Sequence, residues 1–250
     1  MISCILAFYI AISAGPMAEA ALRAQAVAAA DDPDVLYAQR ADLDRARRAD
    51  AIWAERLAAN PRDFESAWKL ARTRYWLGGH APEAERKTIL ERGIAAARTA
   101  IAVEPKRPEG YFWMAANMGA LAESFGLRQG LKYRGDIKAA LLTVLKLDPA
   151  FQDGSADRAL GRWYYKVPGL FGGSRTKSAE HLRKSLTYAP DSTASHYFLA
   201  ETLLDSGTID AGRAELQRVL DAPFDPDWAP EDREFKAKAR QRLAALDRER

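Results

Sequence analysis

The sequence predicts an all-α fold, a solenoid of about four helical hairpins with flanking helices at both ends. Three observations carry that prediction. Pro61, Pro105, Pro149, Pro190 and Pro223 each follow a run of helix-forming residues, at separations of 44, 44, 41 and 33 residues. A repeat of roughly 30–45 residues marks stacked helix pairs, each too small to bury its own apolar face without its neighbours. Between the prolines apolar residues recur with helical spacing, and no stretch alternates with period two, so no sheet is expected. A solenoid of this kind presents a long concave surface, which points to a binding module.

The first thirty residues read apart from the rest. Cys4 to Ala14 is an apolar run of eleven residues. That is too short to span a bilayer as a helix and of the right length for the core of a signal peptide. Small-x-small sites follow at Ala18-Glu19-Ala20 and Ala28-Ala29-Ala30, although no Lys or Arg precedes the run. The expectation is an export signal over 1–30, with an uncleaved, membrane-proximal anchor or a buried or disordered extension as the alternatives. Cys4 is the one cysteine, so no intramolecular disulfide framework exists. Its loss on maturation would leave a cysteine-free chain, suited to an oxidising compartment such as the periplasm.

A single domain is expected over 31–250. From Val35 to Ala59 the apolar residues Leu36, Leu43, Ile52, Trp53 and Leu57 read as helix, ended by Asn60-Pro61. Four repeats follow, at about 62–105, 106–149, 150–190 and 191–223. Their first helices are expected at about Phe64–Leu77, Glu109–Glu123, Ser155–Lys166 and Ala194–Asp205. Their partners are expected at about Pro82–Val103, Gly135–Leu147, Lys177–Tyr188 and Asp210–Leu220. Pro82 suits a first helical turn, where its missing N–H costs nothing, and Glu83 and Glu85 complement the dipole there. A last helix, about Pro230–Leu246, carries Phe235, Leu243 and Leu246 on one side and is otherwise charged, as a water-facing cap would be.

Small residues mark where the two helices of a hairpin touch, since a longer side chain would push them apart. From the small residue of the first helix to the first contact of the second is 12 residues in the last repeat (Ala200 to Gly212). It is 22 in the first two (Ala71 to Gly93, Ala115 to Ile137) and 17 in the third (Gly161 to Ser178). The extra residues fall at one hairpin end each time and are expected to shape a binding rim.

These positions resemble the tetratricopeptide pattern. Leu160-Gly161 followed by Tyr164 fits its first helix, and Ser178, Leu182, Ser185-Leu186 with Pro190 fits its second. The layout, with LGRWYYKVPGLFGGSRTKS in the third repeat and the tail FDPDWAPED, is similar to the T-component proteins of TRAP-type transporters over roughly Asp63 to Ala239. More distantly it resembles the regulator of microtubule dynamics family. The T-component resemblance implies an exported helical-repeat protein that partners a periplasmic substrate-binding protein and forms a small ring homo-oligomer.

In that register the first-helix residues expected to face the groove are Glu65, Trp68, Arg72, Tyr75 and Trp76 in repeat one, and Phe112, Ala116 and Gly119 in repeat two. Repeat three adds Arg158, Arg162, Tyr165 and Lys166, and repeat four adds Tyr197, Glu201 and Asp205. Aromatics beside guanidinium groups hold flat or anionic ligands, or a peptide carboxylate, and small residues leave room for them. The competing expectation is that the aromatics are core and the arginines pair with nearby acids.

Other chemistry finds little support. The loop Val167–Ser178 lacks the Gly directly before Lys-Ser that a phosphate loop needs and follows a helix rather than a strand, so it reads as a rigid turn with Ser174 or Thr176 capping the next helix. His80, His181 and His196 are not spaced as metal ligands. No partner makes an acid–base pair of Glu201 and Asp205, so a salt-bridged pair is the plainer reading. The charge balance, 37 bases against 34 acids, disfavours a nucleic-acid binder. The expected class is therefore a non-enzymatic module without metal or cofactor that binds a protein partner or a small ligand. A carrier with an enclosed apolar pocket between repeats two and three is the rival, and an enzyme the weaker third.

Overall fold

The computed structural model describes residues 31–248, and all regular structure among them is helical. The expected leader at 1–30 lies outside the described residues. The order is α1 (Pro33–Ala38), α2 (Leu43–Ala59), α3 (Phe64–His80), α4 (Glu83–Val103), α5 (Pro108–Ser124), α6 (Leu127–Leu147), α7 (Phe151–Lys166), a 3-10 turn (Gly169–Phe171), α8 (Arg175–Tyr188), α9 (Thr193–Leu204), α10 (Ile209–Asp221) and α11 (Ala229–Arg248). Helices α3–α4, α5–α6, α7–α8 and α9–α10 form the four hairpins.

The prolines act as the sequence suggests. Asn60, Glu104, Asp148, Ala189 and Ala222, each directly before a repeat proline, are the C-caps of α2, α4, α6, α8 and α10 and have left the helical region. Proline Cδ disfavours α geometry in the residue before it, so each repeat ends where its proline dictates. Asp63, Ser174 and Ser192 start the helices that follow them, each side chain accepting from a backbone N–H three residues on. Pro82 sits at the N-cap of α4, one place before the helix.

Helix pairs close over the small residues. Ala71, Ala115 and Ala200 are buried on the first helices, and a Cβ on Gly161 would lie 2.5 Å from Leu182 Cγ. The apolar core runs continuously from α1 to α7, then through Leu182 and Leu199 to a second cluster shared by α9, α10 and α11. Between the third and fourth hairpins the contact turns polar: the Ser178 and Thr202 hydroxyls lie 2.9 Å apart and the Ser185 and Ser195 hydroxyls 2.6 Å apart.

Four expectations need correction. The segment 35–59 is two helices: α1 ends at Ala38, and Asp42, accepting from the Asp44 N–H, starts α2. Helix α6 begins at Leu127, well before Gly135. The extra residues of the first two repeats are additional helical turns, making α4 and α6 21 residues long against 13 for α10, and only the third repeat spends them on a loop. Finally, α11 is more than a water-facing cap. Phe235, Ala239, Leu243 and Leu246 pack on α9 and α10, while its first turns reach the opposite end of the chain.

Candidate functional site

The first helices α3, α5, α7 and α9 contact one another in succession, and α11 takes the next place in that row. They form the inner wall of a sweep that closes on itself, where α11 meets the turn between α1 and α2. Arg40 makes the closure. Its Nε and Nη2 donate to the two Glu231 oxygens at 3.0 and 2.5 Å, and Nη2 also donates to the Asp227 carbonyl at 2.8 Å. Burial is the largest single influence and works against the Arg40 charge, but the Glu231 hydrogen bond and the charges of Tyr37, Glu231 and Asp227 together outweigh it and hold the guanidinium above its usual range. Beside it, His80 Nε2 lies 2.7 Å from Glu234 Oε1 and its Nδ1 2.7 Å from the Trp76 carbonyl. Both ring nitrogens face acceptors, an arrangement that only the imidazolium satisfies fully. Against the effect of burial, these bonds hold His80 above its ordinary value.

The closed sweep surrounds a cavity of about 1620 Å³. Of the residues read as groove-facing, Arg72, Tyr75, Trp76, Phe112, Ala116 and Gly119 line it from the first two repeats. Arg158, Arg162, Lys166, Tyr197 and Glu201 line it from the last two. Glu65, Trp68, Tyr165 and Asp205 do not. Trp68 lies under the guanidinium of Arg72 against the core, Glu65 pairs with Lys69, and Tyr165 donates to Asp205 at 2.7 Å on the outer edge.

The lining cations differ sharply in their partners. Arg72 pairs with Asp34 at 3.2 Å and stacks 3.9 Å from the Tyr37 ring. Arg162 bridges Glu123 at 3.0 Å and Glu201 at 2.5 Å, tying α5, α7 and α9 together. Lys166 adds a longer bond to Glu123. Here the cations do pair with nearby acids. Arg134, from α6, has a backbone partner instead and donates to the Leu131 carbonyl at 2.6 Å. Arg158 has neither: among the described residues no carboxylate lies within ion-pair distance, and its cation–aromatic contact is with the Trp228 ring at 5.7 Å. Burial lowers its pKa, with the Tyr75 hydroxyl, Asp153 and Glu231 opposing from farther off. Tyr75 is 40% exposed, but that surface faces the cavity, and desolvation with the Glu123 charge pushes its phenol up to about 12.

The Trp113 indole N–H and the Gln152 side-chain oxygen are buried and unpaired among the described residues, and both residues line the cavity. Gln152 and Asp153 have φ of 44° and 55°, a left-handed backbone that is uncommon for residues other than glycine. Gly119 provides space, since a Cβ there would meet nothing within 4 Å. Sequence reasoning missed Arg40, His80, Gln152, Trp228 and Glu231 as parts of the site; most come from turns and from the last helix. The signal for two of them was the string FDPDWAPED, whose acids and tryptophan lie in the cavity wall.

The expected rigid turn of the third repeat is present, with Ser174 capping α8 and Leu170 91% exposed at its tip. Among the described residues no helix is long and apolar enough to cross a membrane.

Fold and site together define a tetratricopeptide-like helical-repeat protein whose two ends meet around a central cavity that stays open to solvent. The chain belongs to the regulator of microtubule dynamics protein 1-3 family, whose model matches residues 30–172. Among curated proteins none matches significantly. Solved structures show the same fold. The chain is similar to TTC0263, a thermophilic TPR protein in Thermus thermophilus, with a TM-score of 0.64 and 24% identity over 85% of this chain and 98% of that one. It is also similar to MamA, with a TM-score of 0.50 and 16% identity over 80% and 95% of the two chains.

Proposed function

We propose that the chain is a non-enzymatic binding module that holds an extended polypeptide segment in its central cavity. The observation that carries this reading is Arg158, a partly buried cation that lines the cavity and has no carboxylate partner among the described residues. A guanidinium that lacks an acidic partner suits a polypeptide, which offers it carbonyls and a carboxylate together. At about 1620 Å³ the cavity exceeds the roughly 300–1,000 Å³ typical of small-molecule sites. The ion-pairing of Arg40, Arg72 and Arg162 favours a positioning role over acid–base chemistry.

The test is selection of peptides from a displayed library against the purified chain, followed by affinity measurement on Gly119→Trp and Arg158→Ala. Gly119→Trp should fill the space and lower affinity at least tenfold with the melting temperature unchanged, and Arg158→Ala should do the same for acidic peptides. Peptides that bind both variants as well as the parent would place the site elsewhere.

The small-molecule carrier is the second reading, favoured by the way α11 completes the cavity wall. A native mass spectrum would then show added mass on the parent chain that Gly119→Trp lacks. The proposal extends to an exported, periplasmic protein that partners a TRAP-type substrate-binding protein, on the strength of the apolar run at 4–14 and the T-component resemblance. N-terminal sequencing of the mature chain and co-purification with such a binding protein test it, and light scattering tests the ring homo-oligomer.

A further inference from the structure

We infer that residues 223–234 are a displaceable internal strap, and that the external ligand of the cavity is an acidic polypeptide segment carrying a tryptophan, which competes for the same cations. The inference rests on the reading that the cavity receives an extended polypeptide, and it names the class.

The strap is the linker Pro223–Trp228 and the first turns of α11, and it forms one wall of the cavity. Its charge is one-sided: Asp225, Asp227, Glu231, Asp232 and Glu234 against Arg233. The groups it faces have the opposite sign. Arg40, only 4% exposed, takes Glu231 in a two-pronged bond and the Asp227 carbonyl as well. The Trp228 ring approaches Arg158, the partly buried lining arginine without a carboxylate partner among the described residues. The fold has therefore already placed an acidic, tryptophan-bearing peptide against this surface. Whatever binds there from outside meets the same guanidinium groups.

The strap is held in a way that permits release. Its joint to the N-terminal end is made of side-chain hydrogen bonds and ion pairs, Arg40 with Glu231 and His80 with Glu234. The apolar cluster that fixes α11 to α9 and α10 begins at Phe235, after the strap ends. Within the strap, residues 223–227 are exposed, whereas Ala229, Pro230 and Asp232 are buried, with the Thr193 hydroxyl donating to Asp232 at 2.6 Å. Polar joints exchange partners at small net cost when the incoming ligand offers the same groups, because each bond lost is replaced in kind.

The probe is a labelled synthetic peptide of residues 223–234, added to the full chain and to full-chain Glu231→Ala and Trp228→Ala. The parent should bind it weakly, and each variant, its strap loosened, at least tenfold more tightly. In the parent, excess peptide should speed hydrogen exchange of amides 223–234, a readout that stands even if a variant fails to fold. A peptide in which every acid is replaced by its amide should not bind. Equal binding to parent and variants, or peptide binding without faster exchange in the strap, overturns the inference. If the strap peptide fails while library peptides of other composition bind in a Gly119→Trp-sensitive way, the ligand class is wrong and the cavity reading stands. If no peptide of any composition binds, both fall.

Discussion

At the scale of single residues, glycines divide into those that let helices touch and those that leave space. Gly161→Ala would drive its Cβ to 2.5 Å from Leu182 Cγ and 3.1 Å from the Ser178 carbonyl. A loss of about 1–3 kcal/mol is expected in chemical denaturation, as for other overpacked contacts. Gly119→Ala has the opposite sign: with open space beyond it and a helical backbone, a gain of about 0.5–1 kcal/mol is expected. Asn117, fully buried, donates to the Ala71 carbonyl at 3.0 Å and the Trp113 carbonyl at 2.7 Å, tying α5 to α3. Asn117→Leu should cost about 1 kcal/mol, since the Ala71 carbonyl keeps its helical N–H but loses this second donor, which ties α5 to α3. Which small residues sit at contacts was readable, because hairpin packing repeats with the period of the chain. Which arginines are free was not. Arg158 and Arg162 share a face one turn apart, and only the distance of Arg162 to Glu123 and Glu201, on two other helices, separates them.

At the scale of elements, helix ends were read better than helix starts. Each repeat ends one residue before a proline, a local steric rule that any sequence shows openly. Starts depend on propensity, and α6 illustrates the difference: Gly126, Gly130 and Gly135 weaken the pattern around its first turns, so the sequence reads as helix only from Gly135 although the helix begins at Leu127. Its early turns form because packing against α5 overrides propensity. The caps are testable at this scale. Asp63 accepts from both the Ser66 N–H at 3.1 Å and the Ser66 hydroxyl at 2.6 Å. Burial would raise its carboxyl pKa, but these bonds hold it below the usual value. Its contribution is present above the unfolded carboxyl pKa and lost as pH falls through the lower folded value. Asp63→Ala should cost about 1 kcal/mol near neutral pH and less in acid, read from denaturation curves at the two pH values.

At the scale of the whole molecule, the closure between the two ends is the feature that no local pattern reveals, since Arg40 and Glu231 stand 191 residues apart. Repetition predicts an open superhelix; one charged pair and one histidine make it shut. The histidine gives the closure a pH dependence. His80 is raised above its ordinary value and Glu234 is lowered, chiefly by their mutual bond, with Lys238 also against Glu234 and Glu231 adding its charge. The His80 contribution is full below the unfolded histidine pKa, roughly 6.5, and is lost as pH rises through the higher folded value. The Glu234 contribution fades only as pH falls through its lowered value. Closure should thus be firmest in mild acid and loosen above neutrality, seen as faster hydrogen exchange of 223–234 at about pH 8 than at about pH 6, once the intrinsic pH dependence of exchange is divided out. His80→Gln should flatten that difference. The long separation also bears on how the chain assembles. Nearly every other contact joins neighbours in sequence, so hairpins can form and dock one after another, and the two ends meet only when the array is complete. Glu231→Ala should therefore leave the refolding rate almost unchanged and accelerate unfolding in stopped-flow traces. The clasp would govern how long the finished ring survives, with no part in how fast it is made.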